Sequence, residues 1–251
     1  MKRAMDQITE HIRLCDAIIY VLDARAPLSC LNPGFNELLM RKPVLFVLNK
    51  IDLAPDGTLD LFRKHQKGTV ITLNSRVSGT SKKIVSGLNK LLHERLAAAK
   101  AKGITRPIRA IVIGVTNSGK STLINNLAKK GKTKTGDRPG VTRTKQWVAT
   151  NESLLWVLDT PGTLWPKLDN QRVAQNLCFI GSIKGDVVDI VELAKILMSR
   201  VGDEAIIKRF GTTCFDEIKH RRGKQDDEQT ARAILGDFRE GRLGRICLDF
   251  T

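Results

Sequence analysis

The sequence predicts an α/β fold with a mainly parallel sheet covered by helices on both faces, followed by a small all-α C-terminal domain. Five short segments rich in Val, Ile and Leu are almost continuously hydrophobic, as strands buried on both faces are. Helix-length segments separate them, which is the alternation of a doubly wound sheet. Beyond about residue 170, helical spacing recurs without strands. We therefore predict two domains, residues 1–168 and 169–251.

The predicted elements follow one another in this order. Met5, Ile8, Ile12 and Cys15 recur at helical spacing and predict an amphipathic helix at the start. The predicted strands are 17–23, 44–49, 69–74, 109–115 and 153–159, and the predicted crossover helices are 35–41, 59–66, 81–102 and 120–129. The helical segments of the second domain are 173–183, 187–201, 205–210, 214–221 and 229–239.

The chain is strongly basic. Its 251 residues carry a formal net charge of +16, which favours a polyanionic partner, either nucleic acid or an anionic membrane surface. Residues 100–145 contain twelve Lys or Arg and one acid, so one stretch supplies much of the positive charge. We favour nucleic acid, although a run of charge is often only a solvated face.

The remaining bulk properties exclude several classes of protein. The five cysteines and four histidines are scattered without a CxxC pair, so neither a disulfide framework nor a zinc site is predicted. No apolar run approaches the roughly 18 residues of a membrane span, and the first residues are too polar for a secretory signal. We expect a cytoplasmic protein without a membrane partner.

The stretch GVTNSGKS, residues 114–121, fits the phosphate-binding loop pattern between an apolar strand and a helix. Its glycines allow backbone N–H groups to face phosphate oxygens, and the next helix adds its positive end. Lys120 is predicted to neutralise the β- and γ-phosphates, and the Ser121 hydroxyl to ligate Mg²⁺. An ordinary glycine turn is the alternative. The predicted phosphate-binding residues are Thr116, Asn117, Ser118, Gly119, Lys120, Ser121 and Thr122.

A second phosphate element is DTPG, residues 159–162, at the end of the next apolar strand. Asp159 is placed to hold Mg²⁺ through water, and the Gly162 N–H to sense the γ-phosphate. Residues 130–147 form a polar loop between the two elements, in which Thr142 is predicted to reach Mg²⁺, with Thr144 as its rival. A solvated loop without a switching role is the alternative. Lys120, Thr142 and Gly162 are thus the predicted catalytic residues.

The stretch NKID, residues 49–52, closes a predicted strand, from which side chains can reach a ligand at the carboxyl edge of the sheet. The Asp52 carboxylate can accept two hydrogen bonds from guanine, which adenine cannot offer, and so selects GTP or GDP. Asn49 would hold the base edge and brace the phosphate loop, while the Lys50 stem lies along the purine. Backbone N–H groups of residues 74–76 (Asn74, Ser75 and Arg76) can reach guanine O6.

The base-reading motif precedes the phosphate loop, which reverses the usual order of a GTPase domain. Cutting such a domain after DTPG and joining its old ends by a linker produces the observed order. The basic segment AKAKGITRP, residues 99–107, is the predicted join. The segment after DTPG then leads directly into the helical domain through residues 163–170, so hydrolysis could reposition that domain.

With these motifs the chain resembles the circularly permuted P-loop GTPases of the YlqF/YawG type. The matching stretches are VLDARAPLSCLNP, VLNKIDLA, GVTNSGKSTLIN, RPGVTRTKQW, DTPGTLWPK and FREGRLGRICLD. The resemblance implies a cytoplasmic GTPase that acts in assembly of the large ribosomal subunit and whose helical domain contacts rRNA. A monomer that uses GTP, Mg²⁺ and K⁺ is expected.

The resemblance also bears on individual residues. Asp23 and Arg25 match the family's DAR element, although an internal salt bridge explains them equally well. Asn117 matches an asparagine that helps to coordinate K⁺ in related GTPases. The family's assisting histidine precedes the segment that matches residues 1–4, and His11 is expected to be a helix-surface residue instead. Thr163 occupies the position of the water-orienting glutamine of Ras-type enzymes, so that we expect weak intrinsic activity stimulated by K⁺ and by the ribosomal particle.

Three other functions remain open at this stage. A permuted GTPase that matures the small subunit would add an N-terminal barrel and a Cys/His module, which this sequence lacks. A nucleotide-gated RNA-binding module with negligible catalysis is favoured by Thr163 and by the missing histidine. A GTPase of anionic membrane surfaces rests on the positive charge alone.

Overall fold

The computed structural model describes residues 8–77, 79–128, 147–150, 155–160, 169–183, 189–223 and 226–251. Within them the sheet has six strands in the order β3-β2-β1-β4-β6-β5. Neighbouring strands are parallel except β5, which runs antiparallel to β6 at one edge. The strands are β1 Ala17–Asp23, β2 Val44–Asn49, β3 Thr69–Thr72, β4 Ile108–Ile113, β5 Trp147–Ala149 and β6 Leu155–Asp159.

The helices separate the parallel strands and then follow the sheet. They are α1 at residues 8–12, α2 Asn36–Arg41, α3 Thr58–His65, α4 Thr80–Leu91, α5 His93–Ala101, α6 Lys120–Leu127, α7 Gln171–Phe179, α8 Ile190–Val201, α9 Asp203–Phe210, α10 Phe215–Arg221 and α11 Asp227–Arg239. Short 3-10 turns lie at Pro33–Phe35 and Ile51–Leu53. None of the helices, as far as the structure describes them, is long and apolar enough to cross a membrane.

Two sequence predictions about elements were wrong. The predicted loop 130–147 ends in the first residue of β5, a strand of only three residues that gives too short a pattern to recognise. The single helix predicted at 81–102 is two helices, because Leu92 leaves the helical conformation and is buried. The hydrophobic stripe of α4 ends there, and no residue of α5 is buried.

Alternate residues of each central strand enter two different cores. On β1, Ile19 and Val21 face a cluster that includes Leu88 of α4 and Leu123 of α6. Tyr20 and its alternating neighbours on β1 face the other cluster, which extends into the C-terminal helices. The predicted arrangement, a mainly parallel sheet with helices on both faces, is therefore confirmed.

The C-terminal helices share this second core with the sheet. Leu197 of α8 and Phe238 of α11 are buried in the same cluster as β1. The last residues return to the loop after β1, where the Leu248 N–H donates to the Arg25 carbonyl at 2.7 Å. The Asp249 carboxylate accepts a hydrogen bond from the Leu28 N–H at 2.6 Å. The boundary at 168/169 adjoins residues 161–168, which lie outside the described ranges, and stays a prediction.

The N-terminal helix and the cysteines complete the fold. Ile8, Ile12 and Cys15 are buried against the sheet, as their spacing predicts, while Met5 precedes the described residues. Partly buried His11 lies on the same helix. All five cysteines are free thiols, and only Cys214 is exposed.

Candidate functional site

Loops at the carboxyl ends of the parallel strands surround one open cavity of about 360 Å³. This is the edge at which doubly wound sheets bind ligands. The cavity brings together ten of the predicted nucleotide-binding residues and two others, Leu53 and Arg239. Its lining consists of Lys50, Asp52, Leu53, Asn74, Ser75, Arg76, Asn117, Gly119, Lys120, Ser121, Thr122 and Arg239.

The loop between β4 and α6 can adopt its path only with glycine at two positions. Gly114 has φ +147°, and a Cβ atom there would collide with the carbonyl oxygen of Val21. Gly119 has φ +98° and lies against the side chain of Asn49. Positive φ and close approach together favour glycine. The loop is therefore held tightly against β1 and β2 before it enters the helix.

The Lys120 amine is buried inside this loop. Its Nζ atom donates to the Gly114 carbonyl at 2.9 Å and to the Val115 carbonyl at 2.7 Å. Burial lowers the pKa of the Lys120 amine to about 8, and the negative charge of Asp159 opposes this effect. A bound anion would favour the charged amine further.

Asn49 connects two loops to the end of β2 without lining the cavity itself. Its Nδ2 atom donates to the Ser118 carbonyl at 2.8 Å, and its Oδ1 atom accepts from the Ser75 N–H at 2.9 Å. The side chain is fully buried. The last residue of β2 thus fixes the phosphate loop relative to the loop after β3, which is the bracing position that the sequence predicts.

The other residues of the NKID motif face the cavity. Lys50 has φ +57°, and its Nζ atom donates to the Asn117 carbonyl at 2.6 Å and to the Asp23 carboxylate at 2.8 Å. Asp52 lies in the 3-10 turn Ile51–Leu53 on the cavity wall. The side-chain amide oxygen Oδ1 of Asn74 accepts from the Arg76 N–H at 2.9 Å and shapes the loop after β3.

Asp23 and Arg25 form a buried ion pair beneath the site. Two side-chain bonds join them, Nη2 to Oδ2 at 2.7 Å and Nε to Oδ1 at 2.9 Å, and the Arg25 backbone N–H also donates to Oδ1 at 3.1 Å. Burial alone would raise the pKa of the Asp23 carboxyl, but the Arg25 guanidinium and the Lys50 ammonium outweigh it and hold that pKa below its usual value. The internal salt bridge that the sequence left open is therefore present.

The residues predicted to hold cations offer oxygen atoms near the phosphate loop. Ser121 lies in the first turn of α6, and Asp159 ends β6 beside β4, close enough for its charge to act on Lys120. A hydroxyl and a carboxylate fit Mg²⁺, which prefers oxygen ligands. The Asn117 Nδ2 atom donates to the Gly181 carbonyl at 2.6 Å, so its amide oxygen is the atom that a cation could use. Thr142, Gly162 and Thr163 lie outside the described residues.

The phosphate loop also contacts the helical part of the chain, which sequence reasoning missed. Thr116 and Ser182 are joined by two reciprocal bonds: the Thr116 hydroxyl donates to the Ser182 carbonyl, and the Ser182 hydroxyl donates to the Thr116 carbonyl at 2.7 Å. Ser182 and Gly181 form the turn after α7. No local sequence pattern predicts this contact, because it joins residues that are 66 positions apart.

Arg239 at the end of α11 is the second feature that sequence reasoning missed. It lies in the stretch FREGRLGR, which carries a family resemblance but matches no nucleotide-binding motif. Its position on the cavity wall depends entirely on how α11 packs against α7 and the loop after β1.

Comparison with known proteins identifies GTPases that are similar to this chain. The family model described as "50S ribosome-binding GTPase" matches residues 109–192. Ribosome biogenesis GTPase A from Bacillus cereus is 36% identical, over 99% of this chain and 91% of that protein. Mitochondrial ribosome-associated GTPase 1 from Bos taurus is 30% identical, over 99% and 86%.

The fold is likewise that of a solved relative. The crystal structure of GNP-bound YlqF from Thermotoga maritima superposes with a TM-score of 0.68 at 26% sequence identity, covering 98% of this chain and 97% of that one. The GDP-bound form of the same protein superposes with a TM-score of 0.65. The chain therefore belongs to the ribosome biogenesis GTPase A (YlqF) family, and it is a circularly permuted GTPase.

Proposed function

We propose that this protein binds and hydrolyses GTP as an assembly factor of the large ribosomal subunit in the cytoplasm. The single observation that carries the proposal is the cavity at the carboxyl edge of the sheet, where a phosphate loop and a base-reading motif meet. The relatives' names, which refer to ribosome biogenesis and to 50S binding, support the ribosomal partner.

Guanine is read at one end of the cavity. Asp52 accepts hydrogen bonds from the base, the Lys50 stem covers a purine face, and the loop of Asn74, Ser75 and Arg76 offers backbone N–H groups to O6. A site built for this polar pair rejects adenine, because its own groups would remain unpaired. Asn49 supports these residues by fixing the phosphate loop relative to the loop after β3.

The phosphates occupy the other end, over the N-terminus of α6. Backbone N–H groups of residues 116–122 and the Lys120 amine neutralise them. Ser121, Thr142 and Asp159 would hold Mg²⁺, which would supply neutralisation of the phosphate charge when bound. The Gly162 N–H binds the γ-phosphate, and Thr142 and Gly162 are released when that group leaves.

The intrinsic rate of hydrolysis is low. Thr163 cannot reproduce the amide of a water-orienting glutamine, so the chain by itself orients the attacking water poorly. The Asn117 amide oxygen would hold K⁺, and this cation and contact with the ribosomal particle would raise the rate. The basic surface and the helical residues 169–251 bind rRNA, which the charge of +16 favours.

Two measurements test this proposal. Turnover is compared in KCl and NaCl, with and without purified large subunits, and we expect slow hydrolysis that both K⁺ and the particle accelerate. Sucrose-gradient co-sedimentation with large and small subunits, in GTP-analogue, GDP and nucleotide-free forms, should show binding to the large subunit that depends on the nucleotide. Equal fast rates in every condition, or equal binding to both subunits, would contradict it.

A further inference from the structure

Arg239 stands out among the residues around the cavity because it comes from the helical part of the chain. It ends α11 and is one of the residues that line the cavity, together with Lys50, Asn117 and Lys120. No nucleotide-binding motif contains it. Its charge is the one contribution of the described C-terminal helices to the lining of the cavity.

Several contacts fix the position of this side chain. The Nε atom of Arg239 donates to the Phe179 carbonyl at 3.0 Å, and Nη2 donates to the Cys178 carbonyl at 2.8 Å. These carbonyls end α7, where a cation is favoured by the helix dipole. The Arg239 carbonyl in turn accepts from Arg25 Nη1 at 3.0 Å. Both the backbone and the side chain are therefore held before any ligand binds.

The same contacts place Arg239 beside the phosphate loop. A Cβ atom at Gly181 would lie 3.3 Å from Arg239 Nε, so the guanidinium packs directly against this glycine. The Gly181 carbonyl accepts the bond from Asn117 of the phosphate loop. The turn after α7 thus contacts both the Arg239 guanidinium and the phosphate loop.

The charges around the cavity are unbalanced. Four cationic side chains line it, namely Lys50, Arg76, Lys120 and Arg239, and Asp52 is the one carboxylate among the lining residues. Lys50 is partly neutralised by Asp23, but no carboxylate in the described part of the chain forms an ion pair with Arg239. Burial lowers the pKa of the guanidinium, and the charge of Arg25 adds to the effect. An anion in the cavity would relieve this repulsion.

The hydrogen-bonding capacity of Arg239 is also only partly used. A guanidinium has five N–H donors, and the two bonds to α7 occupy one on Nε and one on Nη2. The Nη1 group has no partner among the described residues. Planar arginine groups bind phosphate oxygens well because two parallel donors match them.

We infer that Arg239 binds the phosphate groups of the bound guanine nucleotide, so that the last long helix completes the nucleotide site. This inference rests on the proposed placement of the nucleotide in the cavity. It gives the helical part a direct bond to the ligand, in addition to its contacts with the phosphate loop. Binding of nucleotide then stabilises the docked position of α11.

Competition binding with variants of Arg239 tests the inference. Affinities for GDP, a GTP analogue and guanosine are measured for Arg239→Gln, which removes the charge, and Arg239→Lys, which keeps it without the planar fork. We expect Arg239→Gln to weaken GDP and GTP-analogue binding about tenfold, as loss of a charge-assisted hydrogen bond does, and Arg239→Lys about threefold. Guanosine has no phosphate, and its affinity should remain unchanged.

Arg232 provides a matched control on the same helix, since it is exposed and paired with Glu228 one turn away. Arg232→Gln should leave all three affinities unchanged. An unchanged ratio of GDP to guanosine affinity in either folded Arg239 variant would overturn the inference. If Arg239→Gln does not fold, the ratio measured for Arg239→Lys decides.

A further variant separates this inference from the function on which it rests. Asp52→Asn should change the preferred ligand from guanine to xanthine nucleotides if the base occupies the proposed end of the cavity. An unchanged base preference would contradict the proposed placement of the nucleotide in the cavity. If the base preference shifts in Asp52→Asn while the ratio of GDP to guanosine affinity is unchanged in the Arg239 variants, only the role of Arg239 is contradicted.

Discussion

The Asn49 amide donates a hydrogen bond to the Ser118 carbonyl at 2.8 Å and so joins the end of β2 to the phosphate loop. In sequence the two residues are 69 positions apart. Because the Oδ1 atom of the same side chain accepts from the Ser75 N–H, one buried side chain sets the position of the phosphate loop relative to the loop after β3. The end of β2, the phosphate loop and the loop after β3 are thus held as one unit.

Asn49→Ala should therefore weaken both folding and nucleotide binding. Two buried backbone groups lose their partner, and we expect the free energy of unfolding to fall by about 1–3 kcal/mol. GDP affinity should fall as well, because the phosphate loop is no longer held in place. Denaturant unfolding and GDP titration measure the two effects. The exposed Asn89 on α4 supplies the control, and Asn89→Ala should change neither quantity.

Asp52→Asn should change which base the site accepts. The amide presents a donor where the carboxylate presented an acceptor, so guanine loses one of its two hydrogen bonds while xanthine gains one. Competition between GDP and xanthosine diphosphate measures the preference, which we expect to move toward xanthosine. Asp56 is exposed and paired with Arg245, so Asp56→Asn is the control and should keep the guanine preference. A retained guanine preference in Asp52→Asn would count against base reading by this carboxylate.

The depressed pKa of Lys120 predicts a pH dependence of binding. In the nucleotide-free protein the amine releases its proton above about pH 8, whereas bound phosphates hold the charged form and raise this pKa. Binding above about pH 8 must therefore take up a proton, and the dissociation constant for GDP should rise with pH by at most about tenfold per unit.

Calorimetry in two buffers of different ionisation enthalpy, between about pH 7 and about pH 9, measures this proton uptake. Guanosine lacks phosphates and serves as the control ligand, for which we expect no uptake at Lys120. In the nucleotide-free protein, pH affects folding in the opposite direction, so the free energy of unfolding increases as pH rises. The unfolded chain, with an ordinary lysine pKa of about 10.4, binds more protons in the window above about pH 8, so stability gains from rising pH there. A GDP affinity independent of pH would contradict the prediction.

The reciprocal bonds between Thr116 and Ser182 predict a measurable coupling between the phosphate loop and the turn after α7. Thr116→Val and Ser182→Ala each remove one donor, at a cost of about 0.5–1.5 kcal/mol in unfolding free energy. A double-mutant cycle should show non-additivity, because the two bonds share one contact. Replacing Ser182 together with the exposed Ser86 of α4 should instead give additive effects. Additivity in the Thr116 and Ser182 cycle would show that the two bonds act independently.

The sequence alone determined most of the fold and the composition of the site. Short, nearly continuous hydrophobic runs such as 17–23 and 44–49 are typical of strands buried on both faces, and the helices between them predict a parallel sheet. GVTNSGKS and NKID carry their chemistry in consecutive residues, so their positions at strand ends follow from local pattern. The reversed order of the two motifs was enough to predict the permutation.

Only the tertiary structure decided how the helical part meets this site. Packing of α7 and α11 against the sheet brings Arg239 to Arg25 and Ser182 to Thr116, and no local period records such contacts. The short strand β5 and the break at Leu92 likewise depend on neighbours distant in the chain. Local sequence determines conformation through periodicity and turn chemistry, whereas contacts between distant segments are set by the shape of the shared core.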